Sequence, residues 1–126
     1  HFAVEWNFAG LPSGADDRYF SDVDGNQLGQ LGERLDLTDV RGLSLSDRWL
    51  GVDIDLRTDR DSGVWAFPVE TVSQSEAGFE LVHQSVCVMP HWIITADAEG
   101  RWAVTIDIAT RCENAIEVQQ HDHVNV

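Results

Sequence analysis

Lysine is absent from this 126-residue chain, whose basic residues are eight arginines against 22 acidic residues. The formal net charge is therefore −14 at pH 7. A surface of this charge repels phosphate backbones and anionic lipids, because like charges raise the free energy of association. The composition thus argues against nucleic acid and membrane partners. A neutral ligand, such as a sugar, is compatible with it.

Long apolar runs are also missing. No segment approaches the roughly 18 to 20 apolar residues that a membrane-spanning helix needs, so we expect a soluble protein. The chain begins at His1, inside a strand-like pattern and without a charged-then-apolar leader. We therefore expect it to be a fragment of a longer polypeptide.

Cysteine is scarce, with only Cys87 and Cys112. Their spacing fits no zinc or redox motif, and a disulfide between them is compatible with the sequence but not required by it. Two reduced thiols in a cytoplasmic protein are the favoured interpretation, because the cytoplasm keeps thiols reduced.

His121 and His123 lack a nearby third ligand, so neither a metal site nor a cofactor is predicted.

A helical repeat is absent as well, because no ten-residue segment has apolar residues at a period of 3.6. Apolar and polar residues alternate instead, most clearly over residues 2–8, 49–56 and 102–108. With 43% hydrophobic residues and five tryptophans, residues 1–126 are expected to form one domain, in which residues 112–126 are a further strand or a tail. The predicted fold class is all-β: an antiparallel β-sandwich of two sheets over a tryptophan-rich core.

Turns and loops are predicted from charged and small residues. Residues 15–32, rich in Asp, Asn and Gly, are expected to form a long loop around a short strand at residues 18–20. Residues 58–63 are expected to be the turn of a hairpin. A second hairpin is expected between residues 91–97 and 101–109.

The long loop contains a partial calcium-binding pattern. Its acidic and amide residues match four positions of a calcium loop, but Gln27 stands where that loop requires glycine. Because the same residue types favour turns without any metal, a turn is the preferred interpretation. The residues concerned are Asp22, Asp24, Asn26 and Glu33.

The most informative segment, residues 64–80, changes character in its middle. It begins as an apolar strand through Trp65 and Phe67, whereas residues 70–76 are mostly polar and include no Lys or Arg. Such a segment is either a solvated connection or a surface that hydrogen-bonds a partner, and the residues leave both open. The following strand, residues 79–89, has apolar positions on both faces and is expected to be buried between two layers.

Three patches carry a family resemblance: Phe-Ala-Val-Glu-Trp-Asn-Phe at residues 2–8, Leu-Ser-Leu-Ser-Asp-Arg-Trp-Leu-Gly-Val-Asp-Ile at residues 43–54, and Glu-Thr-Val-Ser-Gln-Ser-Glu-Ala-Gly-Phe-Glu at residues 70–80. They resemble the C-terminal β-domain of glycoside hydrolase family 57 enzymes, the α-amylases and 4-α-glucanotransferases that act on α-1,4-glucans. The third patch is the most specific, although Ala77 stands where those enzymes usually have a second glycine.

The resemblance implies that this chain is part of a galactose-mutarotase-like supersandwich. It also implies a parent enzyme whose catalytic carboxylates lie in a barrel domain absent from this sequence. The chain would then be a non-catalytic module that supports the barrel and contacts glucan, with a stand-alone carbohydrate-binding module as the alternative. The implied partners are the catalytic barrel domain, an α-glucan and, through an exposed sheet edge, a second copy of the fragment.

Five residues are predicted to bind substrate or to contact the barrel: Trp65, Glu70, Gln74, Ser75 and Glu76. Sugars present apolar CH faces to aromatic rings and hydroxyl groups to carboxylates and amides. Trp49, Trp92 and Trp102 are further candidates for stacking on a sugar. Tryptophans on alternating strands more often pack in a core, so both interpretations remain open.

Two catalytic arrangements are compatible with the sequence but less favoured. Glu70 and Glu76 could act as a glycosidase pair if their carboxyl groups stood roughly 5 to 9.5 Å apart. Glu80 with His83 or His91 would offer the acid/base pair that mutarotases use, but a likeness of fold does not by itself carry an activity. No catalytic residue is predicted.

Overall fold

A computed structural model describes residues 1–11, 16–113 and 118–125 of the chain. The described residues contain no helix. Their nine strands are β1 Phe2–Ala3, β2 Trp6–Ala9, β3 Arg18–Ser21, β4 Gln27–Gln30, β5 Leu35–Asp47, β6 Val52–Ser75, β7 Gly78–Trp92, β8 Ala103–Cys112 and β9 Val118–Asn125. Every pairing between them is antiparallel.

Two long strands, β5 and β6, run through both halves of the fold. In the first half, residues 42–47 of β5 and 52–58 of β6 lie between β3 and β8, and β4 and β9 flank these in turn. In the second half, residues 63–75 of β6 pair with β7, whose other side pairs with β1 and β2. The two halves are therefore joined by continuous strands.

The strands bend between the two halves. The β5–β6 register shifts on either side of Val40, and Asp39 has a φ of 53°. Ser62 is buried here and its hydroxyl donates to the Val40 carbonyl at 3.1 Å. Register shifts of this kind bend the strands that contain them. We infer that this bend lets one half pack on the other.

One hydrophobic core contains side chains from both halves. Even-numbered residues of β6, such as Leu56 in the first half and Val64 in the second, are fully buried, as the period of two predicts. Phe20 and Leu45 from the first half and Val88 from the second belong to the same cluster. The predicted antiparallel β-sandwich is thus confirmed, with one continuous hydrogen-bonded sheet in place of two separate sheets.

Aromatic rings form one end of this core. The Trp92 ring lies 5.6 Å from Trp102 and 6.1 Å from Phe2, measured between centroids. Trp92 and Trp102 are buried, so packing in the core explains these two tryptophans and they offer no ring face to a sugar.

Both predicted hairpins are wrong. Residues 58–63 lie within β6, and the charged side chains of Asp59, Arg60 and Asp61 are exposed where the strand bends. Exposed charges at a bend give the same sequence pattern as a turn. After β7 ends, a turn forms at Asp97, which accepts a hydrogen bond from the Gly100 N–H, but β8 then pairs with β6 and β9 rather than with β7.

The predicted long loop contains a hairpin. Its expected short strand is β3, which pairs with β4 over a turn built on Asp22. The Asp22 carboxylate accepts hydrogen bonds from the backbone N–H groups of Asp24 and Asn26 and from the Asn26 side chain, which lower its pKa. These bonds explain the Asp/Asn pattern as turn chemistry.

The C-terminal part of the chain contributes β9, which pairs with β8. Residues 114–117 and 126 lie outside the described residues, and so do the side chains of His121 and His123. Among the residues that the structure describes, no helix has the length and apolar character required to cross a membrane.

Candidate functional site

The outer ends of β6 and β7 form an arm that extends beyond the core, here called the β6–β7 arm (residues 70–84). The two strands pair up to Ser75 and Gly78, and Gly78 adopts a φ of 121°, which is costly for other residues. All arm residues are exposed except Ser75 and His83, which are half-buried. By contrast, residues 85–88 at the base of the arm are buried. The expectation that residues 79–89 are buried throughout is therefore wrong for residues 79–84.

One face of the arm is apolar. Val72 pairs with Leu81, and Gln74 pairs with Phe79. Because directly paired residues point to the same side of a sheet, these four side chains share a face. Val72, Leu81 and Phe79 are 66%, 70% and 77% exposed. The alternation along β6 puts this face on the same side as the buried Val64, so it continues the core-facing side of the sheet past the end of the core.

The opposite face of the arm is more polar. Thr71 pairs with Val82, and Ser73 pairs with Glu80. The Gln84 side chain donates a hydrogen bond to the Thr71 hydroxyl at 3.0 Å. Val82 is 38% exposed, the least of the exposed apolar residues on the arm. The arm is thus amphipathic, with its larger exposed apolar groups on one face.

Four of the five predicted site residues lie on this arm. Glu70 is at its base, Gln74 is beside Phe79 on the apolar face, and Ser75 and Glu76 are at the tip. Trp65 does not join them. It lies before the arm on the opposite face of β6, where its ring stacks on His91 at 3.9 Å between centroids and remains 38% exposed.

The catalytic arrangements weighed above are not formed. Glu70 and Glu76 stand at the two ends of the extended segment, about 17 to 20 Å apart at 3.3 Å per residue, which is well beyond a glycosidase pair. His83 and Glu80 point to opposite faces of the arm, and a ring nitrogen of His83 lies 2.7 Å from the Leu11 carbonyl oxygen. The imidazole of His91 packs on Trp65 and lies 2.9 Å from that of His1.

A cleft with a volume of about 510 Å³ lies at the bend of β5 and β6. Charged side chains from both strands line it, and Arg41 donates to Asp61 at 2.7 Å. Arg60 donates to the Ala103 carbonyl and covers the Trp102 ring at 5.1 Å. The guanidinium groups of this cleft are therefore already engaged by the chain itself.

A polar network covers the outer face of the first half. Ser44 and Ser46 donate to Asp55 and Asp53, and Arg48 donates to Asp53. Burial alone would raise the pKa of Asp53, but the hydrogen bonds from Arg48 and Ser46 outweigh it and hold that pKa below its ordinary value. This network accounts for the polar residues at the outward positions of β5 and β6.

Both cysteines are free thiols. Cys87 is buried between β2 and β6, and burial raises the pKa of its thiol. Cys112 is exposed at the end of β8.

Comparison with known proteins gives this fold a family. A family model described as "Alpha-amylase/4-alpha-glucanotransferase, C-terminal" matches residues 1–106. This chain belongs to that family. A 57-residue segment is also 30% identical to "Alpha-amylase 1" of Dictyoglomus thermophilum, covering 45% of this chain and 8% of that protein. The chain therefore corresponds to a small part of this relative. No solved structure matches it significantly.

For this member of the amylase/glucanotransferase C-terminal family, sequence reasoning missed the exposed apolar residues. The sequence predicts a buried strand for Phe79 and Leu81. On the partner strand the polar Gln74 faces Phe79 but the apolar Val72 faces Leu81, so the facing residues give no consistent signal of exposure. Trp49 was assigned to the strand that became β6, whereas the structure places it in the preceding turn. The flanking Asp47 and Gly51 are ordinary turn residues and could have located it.

Proposed function

We propose that this chain is a non-catalytic module of a larger α-amylase/4-α-glucanotransferase-type enzyme of glycoside hydrolase family 57, acting on α-1,4-glucans. We further propose that the β6–β7 arm packs against the catalytic domain of that enzyme, in the cytoplasm. The family membership supports the parent enzyme. The observation that carries the packing is the apolar face of Val72, Phe79 and Leu81, which nothing in the described residues covers.

The energy of this face argues for a partner. Complete burial of a Val, Leu or Phe side chain stabilises by roughly 1.5 to 3 kcal/mol each, and the exposed fractions of these three leave about two thirds of that unused, or about 3 to 6 kcal/mol in total. An exposed strand pair with an apolar face is also prone to aggregate unless something covers it. Coverage by the catalytic domain supplies the missing burial on one face and leaves the more polar face in water.

The geometry favours packing over sugar binding for the predicted residues on the arm. Gln74 and Phe79 lie side by side on the apolar face, so a surface that covers Phe79 also covers Gln74. Glu70, Ser75 and Glu76 lie at the ends of the same segment and would form the polar rim of the contact. Trp65 faces away from it and is left free for another contact, such as glucan.

Hydrogen exchange in the full polypeptide that carries this chain tests the proposal. We expect the amides of residues 70–84 to exchange slowly there and rapidly in the 126-residue chain alone. The double variant Phe79→Ser/Leu81→Ser should restore rapid exchange in the full polypeptide, yet change the unfolding midpoint of the isolated chain by no more than about 2 °C, because both side chains are exposed in it. Ile93→Ser, at an 82% exposed residue away from the arm, is the matched control and should change neither.

Equal exchange of the arm in both contexts would show that the catalytic domain does not cover it. A wild-type isolated chain that dimerises, and becomes monomeric in the double variant, would instead assign the apolar face to a second copy. That result would also contradict the proposed contact.

A further inference from the structure

The turn between β5 and β6 exposes the most accessible tryptophan of the described residues. Trp49 is 77% exposed and Leu50 is 54% exposed, whereas Trp92 and Trp102 are buried and Trp65 is 38% exposed. A tryptophan side chain removes roughly 150 to 250 Å² from water when it is buried. The exposed Trp49 ring therefore lacks the large stabilisation that burial gives to the Trp92 and Trp102 rings.

Hydrogen bonds hold the turn that carries Trp49 in place. Asp47 is fully buried, and its carboxylate accepts hydrogen bonds from the Leu50 N–H at 3.0 Å and from Arg18 at 3.3 Å. Gly51 adopts a φ of 69°, and its carbonyl accepts the Glu113 N–H at 2.8 Å. The turn is thus tied to β3 through Arg18 and to the end of β8 through Glu113.

These ties hold the backbone on both sides of the ring. The Arg48 N–H donates to the Asp17 carbonyl at 2.8 Å, and the Arg48 guanidinium binds Asp53. A ring presented on a fixed backbone loses little conformational freedom when a ligand binds, which favours recognition. The geometry is therefore that of a preorganised aromatic surface rather than of a loose loop.

The size and charge of this surface limit what it can bind. Two apolar side chains are far smaller than the roughly 800 Å² per partner of a stable protein interface. The net charge of −14 disfavours anionic ligands such as nucleotides. A neutral sugar ring fits both limits, since its CH face is comparable in size to an indole. Beside the turn, the side chain of Glu113 lies next to Gly51 and offers hydrogen-bond acceptors for the hydroxyl groups of the sugar.

We propose that Trp49 is a stacking surface for a glucose unit of an α-glucan chain, with Leu50 extending the apolar contact. The choice of α-glucan among sugars rests on the function proposed above. The turn precedes the first residue of β6, whereas the β6–β7 arm is at the last residues of the same strand. The module can therefore contact its catalytic domain and a glucan chain at the same time.

Affinity electrophoresis of the 126-residue chain in gels containing amylopectin tests this assignment. We expect amylopectin to retard the wild-type chain and Trp49→Phe to retain most of the retardation, because the variant keeps an aromatic face. Trp49→Ala should bind about tenfold more weakly. Ile93→Ala is the matched control, since Ile93 is 82% exposed but lies outside both the Trp49 turn and the arm, and it should migrate like the wild type. Equal unfolding midpoints would confirm that all variants are folded.

Absence of retardation for the folded wild-type chain would overturn the proposal, and so would unchanged retardation of Trp49→Ala. If hydroxyethylcellulose, a β-linked glucan derivative, retards the wild-type chain as much as amylopectin does, the assignment to α-glucan is contradicted, although Trp49 would still bind sugar. None of these outcomes affects the exchange experiment on the arm, so failure of this inference is distinguishable from failure of the proposed function.

Discussion

The buried ion pair beneath the Trp49 turn should be worth much more than a shorter pair on the surface. Asp47 is fully buried and meets Arg18, whose side chain is 19% exposed, at 3.3 Å. Arg41 and Asp61 are closer, at 2.7 Å, but their side chains are 58% and 60% exposed. Water screens the second pair and competes for its hydrogen bonds, so burial rather than distance decides the ranking.

Replacing Asp47 with alanine removes two hydrogen bonds at once. A hydrogen bond to a charged group contributes about 1.5 to 3 kcal/mol and the bond from the Leu50 N–H about 1 kcal/mol. Because Arg18 reaches water in part, we expect a loss near 3 kcal/mol, at the lower limit for breaking a fully buried pair. Asp47→Asn keeps an oxygen for the Leu50 N–H and should lose about half as much. Asp61→Ala should lose no more than about 0.5 kcal/mol.

Urea unfolding followed by tryptophan fluorescence measures these differences. At an m-value of about 2 kcal/mol/M, Asp47→Ala should lower the midpoint by about 1.5 M, whereas Asp61→Ala should leave it within about 0.3 M of the wild type. A loss for Asp61→Ala equal to that for Asp47→Ala would refute the argument from burial. A loss for Asp47→Asn as large as for Asp47→Ala would show that the Leu50 hydrogen bond contributes nothing.

Two further predictions concern acid and packing. The folded-state pKa of Asp53 lies below its ordinary value of 3.8, so the stability that the ionised carboxylate contributes is complete above that pH and is lost as the pH falls through the folded-state pKa. Asp53→Asn should therefore flatten the dependence of stability on pH below about pH 4, measured by urea unfolding at several pH values. An unchanged pH dependence would contradict this. A Cβ at Gly63 would overlap the His91 ring, so Gly63→Ala should cost about 1 to 3 kcal/mol in the same assay. If the Gly63→Ala/His91→Ala double variant loses as much stability as the two single variants combined, no clash exists.

The fold class could be predicted because alternation is a local property. In β8, the buried residues Val104, Ile106 and Ile108 alternate with half-buried ones, and their period of two is visible in the sequence without knowing their neighbours. The tryptophan-rich end of the core followed from the same pattern through Trp92 and Trp102. Strand pairing is not local in this way, which is why the sequence pattern pairs residues 101–109 with residues 91–97, whereas β8 pairs with β6 and β9.

The long strands could not be predicted because their interruptions resemble turns. Charged residues 59–61 are exposed where β6 bends, so the sequence pattern divides this strand in two. Gly42 marks a similar interruption where β5 shifts register. Strands usually have about five or six residues, which made short segments the reasonable expectation. Only the hydrogen bonds on either side of the bend show that the chain continues in the same sheet.

Part of the candidate site was accessible to sequence reasoning. The polar character of Glu70, Gln74, Ser75 and Glu76 marked an unusual segment, and the structure brings all four onto one arm. The apolar face beside them was not found, because Phe79 and Leu81 have the composition of a core strand. Whether such residues are buried depends on where the core ends, which no pattern within the segment encodes.

The length of β6 explains why the two proposed contacts lie at opposite ends of one strand. Its first half is enclosed by β5 and β8, and the core ends near the buried residues at the base of the arm. Beyond that point the strand continues to Ser75 without burying either face. A sandwich gains nothing by itself from such an extension, and the exposed apolar face lowers its solubility. The extension therefore makes physical sense as a contact to something outside the domain, while the braced turn at the other end of β6 keeps Trp49 available in solvent.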